Sequence, residues 1–126
     1  MRLADVLGIR QIDADTYFVS VTRGQWIKEF WVIDLNSKTK KPFAVPDRAF
    51  SLGNIQKTSK GEYVISIGFD VYRTDGVTYT TILSRRELYS VPQVSGVYLN
   101  IWHMQLDAND RVWFDSGYGV YRIDLY

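Results

Sequence analysis

Runs of β-branched and aromatic residues recur along the chain, some alternating with polar residues and some continuous. Tyr17-Phe18-Val19-Ser20-Val21, Phe30-Trp31-Val32-Ile33 and Tyr63-Val64-Ile65-Ser66-Ile67 are followed by similar segments at 77–83, 97–102, 112–114 and 120–123. Each is short and bounded by Gly, Asp, Asn, Ser or Pro, the signature of strands joined by turns. No window sustains a helical apolar period. The best helical candidate, 84–89, has Ser84 as a cap and is stopped by Pro92, so it amounts to one turn. The pattern predicts an all-β protein.

The strands fall into a repeat. Residues 56–75 laid over 105–124, a shift of 49 without a gap, align Gln56 with Gln105 and Gly68 with Gly117. The same shift brings Val71-Tyr72-Arg73-Thr74-Asp75 onto Val120-Tyr121-Arg122-Ile123-Asp124. A first copy starts 45 residues earlier, with Tyr17-Phe18-Val19-Ser20-Val21 matching Tyr63-Val64-Ile65-Ser66-Ile67 once the turn loses one residue. Its third strand is Phe30-Trp31-Val32-Ile33-Asp34. Each copy reads as strands A, B and C, and a fourth, D, follows in the first two at 42–45 and 77–83. The expected organisation is one domain over 1–126, with approximate repeats at 8–45, 53–83 and 101–126 and residues 1–7 as a closing strand. Four strands per unit at this period is the scale of a propeller blade.

The third copy is the most regular. Asp107-Ala108-Asn109-Asp110-Arg111-Val112-Trp113-Phe114 followed by Gly117-Tyr118-Gly119-Val120-Tyr121-Arg122-Ile123-Asp124 resembles a β-propeller repeat of the two-component-regulator type. That repeat runs Asp, two spacers, Gly, a spacer, aliphatic-Trp-aromatic, a Gly-rich loop, then Gly-aliphatic-Tyr-Arg and a polar residue. Here Asp110 replaces the turn glycine. The second copy has Gly61 but Val64 in place of Trp, and the first lacks both the turn Gly and the Tyr-Arg. The resemblance covers about two-thirds of the chain. It implies three four-stranded antiparallel propeller-like blades. It speaks only weakly to function, because propellers host many unrelated activities. A sensor fragment, cut from a longer parent with a transmembrane segment, is one reading that it implies.

Propellers close with about four to eight blades, because each blade needs a neighbour on both faces. Three blades alone would leave two apolar faces in water. The favoured reading is a homodimer closing as a six-bladed ring. The second is a larger propeller, of which this chain is a piece or which another protein completes. The third is a self-contained β-sandwich or small barrel.

Composition narrows the function classes. The 126 residues carry 15 Lys and Arg against 14 Asp and Glu, so a net charge of +1 removes the simplest case for nucleic acid or an anionic membrane. An apolar content of 46% is enough for a core. No apolar run approaches the roughly 18 residues of a membrane span. Residues 1–7 are too short and too polar for a secretion signal; with Met1 as the natural start, the expected location is cytoplasmic. The absence of cysteine excludes disulfides, cysteine–zinc sites and thiol chemistry, and one histidine leaves little for a metal site, so no cofactor is expected.

Strand direction puts the B–C loops and the D-to-A links at one end of such sheets. The two longest irregular stretches, 22–29 and 84–95, share that end and mark it as a loop-rich binding face. Arg23, Trp26, Arg85, Arg86, Tyr89, Trp102 and His103 are its candidate ligand-binding residues. Trp and Tyr offer flat faces for a sugar, a base or a protein anchor. The competing role is that Trp26 and Trp102 pack between blades and the arginines are solvated. Asp13-Ala14-Asp15 and Asp107-Ala108-Asn109-Asp110 alternate oxygen ligands as a calcium loop does. They lack its Gly and distal Glu, and read as hairpin turns. Lys38-Thr39-Lys40-Lys41 lies at the opposite end as a basic turn. Arg73 and Arg122 recur with the repeat and read as structural, pairing with Asp75 and Asp124 or with a neighbouring blade.

These features favour a non-catalytic binding or scaffold module that recognises a protein or other ligand through its loop-rich face. A lectin-like carbohydrate binder is a sharper form of the same reading. From a different class, His103 with Asp107, Asp115 and Ser116 supplies the residue types of a hydrolase or lyase, without any nucleophile-elbow signature.

Overall fold

Between its polar turns the chain forms strands, as the pattern requires. The computed structural model describes residues 5–84, 103–116 and 119–126, with backbone alone at 116 and 119. The strands are β1 (Asp5–Gln11), β2 (Thr16–Arg23), β3 (Trp26–Asp34), β4 (Thr39–Phe43), β5 (Leu52–Lys57), β6 (Tyr63–Ile67), β7 (Asp70–Thr74), β8 (Tyr79–Ser84), β9 (Gln105–Leu106), β10 (Arg111–Ser116) and β11 (Gly119–Asp124). They form three antiparallel sheets, β1-β2-β3-β4, β5-β6-β7-β8 and β11-β10-β9, none closed into a barrel. Neighbours in the chain are neighbours in the sheet, so each sheet is a meander of hairpins.

The sheets stack face to face, with the second in the middle. Successive side chains of a strand point to opposite faces. Ile65 and Ile67 of β6 pack with Phe18, Phe30 and Phe43 of the first sheet. Val64 packs with Val112 and Phe114 of the third. A strand covered on both faces has no use for polar alternation, which is why β6 is apolar at nearly every position. Burial of each such side chain contributes roughly 1.5–3 kcal/mol. Phe18 is the hub of the first interface, with ring centroids 4.7 Å from Phe30 and 5.1 Å from Phe43.

Polar ties cross both boundaries. Ala44 N–H donates to the Gly76 carbonyl at 2.8 Å, and Arg10 Nε to the Gly53 carbonyl at 3.3 Å. At the second boundary the Gln56 side chain donates to the Met104 carbonyl and accepts the Leu106 N–H, both at 3.0 Å. Arg73 donates to the carbonyl of Leu125.

Several expectations are corrected. Residues 5–7 are not a separate closing strand: Asp5, Val6 and Leu7 pair with Arg23, Thr22 and Val21 as the first part of β1. Segment 22–29 is not a loop. β2 and β3 meet at a two-residue turn, Gly24-Gln25, and a register shift between Val21 and Thr22 absorbs the surplus residue. Gly24, at φ 66°, supplies the left-handed backbone that this turn needs. Arg73 takes the second of its two expected roles, reaching the neighbouring sheet at the Leu125 carbonyl, and its ion-pair partner is Glu62, at 3.7 Å, not Asp75; Arg122 meets Asp124, at 3.5 Å. The third sheet has three strands among the described residues, not four. The sheets do not close into a barrel, which removes that alternative. The helical candidate beyond Ser84 and the strand at 97–102 lie outside the described residues. Among the described residues, no helix is long and apolar enough to cross a membrane.

Candidate functional site

The end of the stack that carries the β2–β3 and β6–β7 turns also carries the link between the first two sheets, residues 44–51. This link is held rather than loose. Ile27 N–H donates to the Ala49 carbonyl at 2.8 Å, and Ser51 accepts from Gly68. Arg48 and Ser51 take left-handed backbone, φ 57° and 59°. Such conformations cost a side-chain-bearing residue energy and persist where the surroundings enforce them.

An aromatic ladder lines this corner. Trp26 meets Phe50 edge-on at 6.4 Å, and Phe50 meets Phe69 at 5.5 Å. Phe50 also lies against Gly68, where an added Cβ would sit 2.8 Å from the ring. One cleft of about 680 Å³ is bounded by Trp26, Ile27, Lys28 and residues 45–49, bringing indole, ammonium, carboxylate and guanidinium to one rim. A second, of about 420 Å³, lies between the link, Phe69, Asp70 and Tyr72. The Tyr72 hydroxyl donates to Asp70 at 3.3 Å, and burial, with that carboxylate beside it, pushes the phenol up to about 12. Tyr72 is therefore a neutral donor at any physiological pH.

Of the residues expected to bind ligand, Trp26 lines this cleft. Arg23 does not: its Nε binds Asp5 Oδ1 at 2.8 Å across the β1–β2 pair, and that bond raises its pKa further. Arg85, Arg86, Tyr89 and Trp102 lie outside the described residues. His103 is exposed just before β9. Phe50, Phe69 and Arg48 were missed. The only local signal was Pro46-Asp47, a turn-forming pair between two apolar segments.

The carboxylates behave as turn residues. Asp13 accepts the N–H groups of Asp15 and Thr16. Asp107 accepts from Trp113 Nε1 at 2.8 Å, from Arg111 Nε and from the N–H groups of Asn109 and Arg111, and lies well below the usual carboxylate range as a result. With four donors around it, Asp107 has no spare acceptor to orient a catalytic histidine. Lys40 is placed over the Trp31 ring at 4.1 Å, a cation–π contact on the surface.

The chain matches no family model, no curated protein and no solved structure.

Proposed function

We propose that the three sheets are blades of a β-propeller, and that the chain is a non-catalytic binding module taking its ligand at the corner lined by Trp26. The observation that carries this reading is the Trp26 indole, backed by Phe50 and flanked by Lys28, Asp47 and Arg48 around one cleft. The cleft volume is in the range of small-ligand sites, about 300–1,000 Å³. A flat aromatic face with charged hydrogen-bonding groups at its rim suits a sugar ring, which stacks its C–H face and bonds its hydroxyls. The sharper form of the proposal is therefore a carbohydrate ligand, with a protein segment as the broader one. The test is intrinsic Trp fluorescence against a panel of oligosaccharides, with Trp26→Ala as control. A saturable change lost in the variant supports the sugar reading. Silence on a glycan array together with no fluorescence change ends it.

A further inference from the structure

The three sheets use equivalent positions, and the hydrogen-bond registers identify them. Ile9 pairs with Val19 in the first sheet and Ile55 with Ile65 in the second; in the third, the Gln105–Trp113 pair puts Met104 opposite Phe114. Ile55 and Met104 are 5% and 1% exposed, each at the face toward the preceding sheet, whereas Ile9 is 61% exposed. Leu35 and Leu125 repeat the contrast. Each follows a strand-ending aspartate and donates its N–H to a carbonyl of the A–B turn, Asp15 at 2.8 Å and Asp110 at 3.0 Å. Leu125 is 3% exposed and Leu35 55%. On the opposite face the situation reverses. Val71 is fully buried toward the third sheet, while Val120, its counterpart in the repeat, is 68% exposed. Among the described residues, the first sheet thus lacks a predecessor and the third a successor.

We propose that a second copy of this chain supplies both. The third sheet of each copy packs on the first sheet of the other, closing a two-chain ring of six sheets. The predecessor that the first sheet lacks must present the positions by which the second sheet covers the third: Val64, Ser66, Val71 and Arg73. The third sheet carries Trp113, Asp115, Val120 and Arg122 at those positions. Arg73 crosses its boundary to the Leu125 carbonyl and lies over the Tyr126 ring at 4.9 Å. Arg122 is placed to make the same reach toward the partner's first sheet. A contact between two different faces either closes or runs on as a filament. Propellers close at about four to eight blades, and two is the only number of three-sheet chains in that range. The contact rests on the equivalence of faces; the count of two rests on the propeller reading above, and neither depends on the ligand at Trp26.

The test is light scattering with the variants Ile9→Arg and Val120→Arg. Both positions are exposed in the single chain, so each variant keeps the wild-type circular dichroism. The wild type is expected near twice 14.6 kDa and each variant alone near 14.6 kDa. An equimolar mixture of the variants regains a two-chain species, because the first still has an intact third sheet and the second an intact first sheet. A wild type that stays at the single-chain mass overturns the proposal, since the missing sheets then come from elsewhere. So does a Val120→Arg protein that still dimerises, which would join first sheet to first sheet. Assemblies larger than two chains overturn the ring and the blade count together.

Discussion

The carboxylate of Asp110 accepts the backbone N–H of Ser59 at 2.8 Å, and the Ser59 hydroxyl as well, across the boundary between the third and second sheets. Asp110 stands at φ 57°, where the second copy has Gly61 at φ 79°. The sequence has an aspartate at a position that favours glycine, and the structure shows why it is tolerated there. A short polar side chain adopts left-handed backbone more readily than most, and here it also ties two sheets together. Asp110→Ala keeps the backbone strain and loses the tie, whereas Asp110→Gly loses only the tie. The expected order of urea midpoints is wild type, then Asp110→Gly, then Asp110→Ala. An alanine variant as stable as the glycine one would remove the account.

Acid should weaken the fold through its turn carboxylates. Hydrogen bonds hold four aspartates below their ordinary value: Asp13 from Thr16, Asp75 from Thr78, Asp107 from Trp113 and Asp110 from Ser59. A depressed folded-state pKa means that the unfolded chain binds more protons in acid. Their stabilisation is complete above the unfolded value of 3.8 and is lost as pH falls through the folded values. Urea midpoints should hold down to about pH 5 and then fall toward about pH 3. Asp107→Asn should flatten part of that fall. A midpoint that does not change over this range would contradict the assignment.

Gly68 and Gly24 separate two reasons for glycine. Both have left-handed backbone, at φ 60° and 66°. An added Cβ at Gly68 meets Phe50 at 2.8 Å, whereas at Gly24 it meets nothing within 4 Å. Gly24→Ala should therefore cost only the backbone term, about 1–2 kcal/mol. Gly68→Ala should cost more and also displace Phe50 from behind Trp26, shifting the emission of the indole. Equal losses in chemical denaturation would show that Phe50 yields freely.

The repeat was visible in part because its residues act locally. Gln56 and Gln105 align in sequence, yet only the folded chain shows Gln56 bonding both Met104 and Leu106 of the neighbouring sheet. Segment 22–29 looked irregular because the surplus residue at the β2–β3 register shift breaks the two-residue alternation; pairing through that shift made it a tight hairpin. Of the candidate corner, only Trp26 was legible. Arg23 is taken by Asp5. Arg48 reaches the cleft, and Phe50 the Trp26 ring, through the link between two stacked sheets, which no spacing in the chain announces.

The amino-acid order by itself determined most of the strands and their shared pattern, because these depend on residues a few positions apart: alternating side chains, and glycine or aspartate where the backbone turns left-handed. Only the tertiary structure decided which sheet faces are covered. β2 and β10 carry large apolar or aromatic groups on both sides, and whether Val19 or Trp113 is core or surface depends on which sheet lies next to it. That is a property of the stack rather than of the strand.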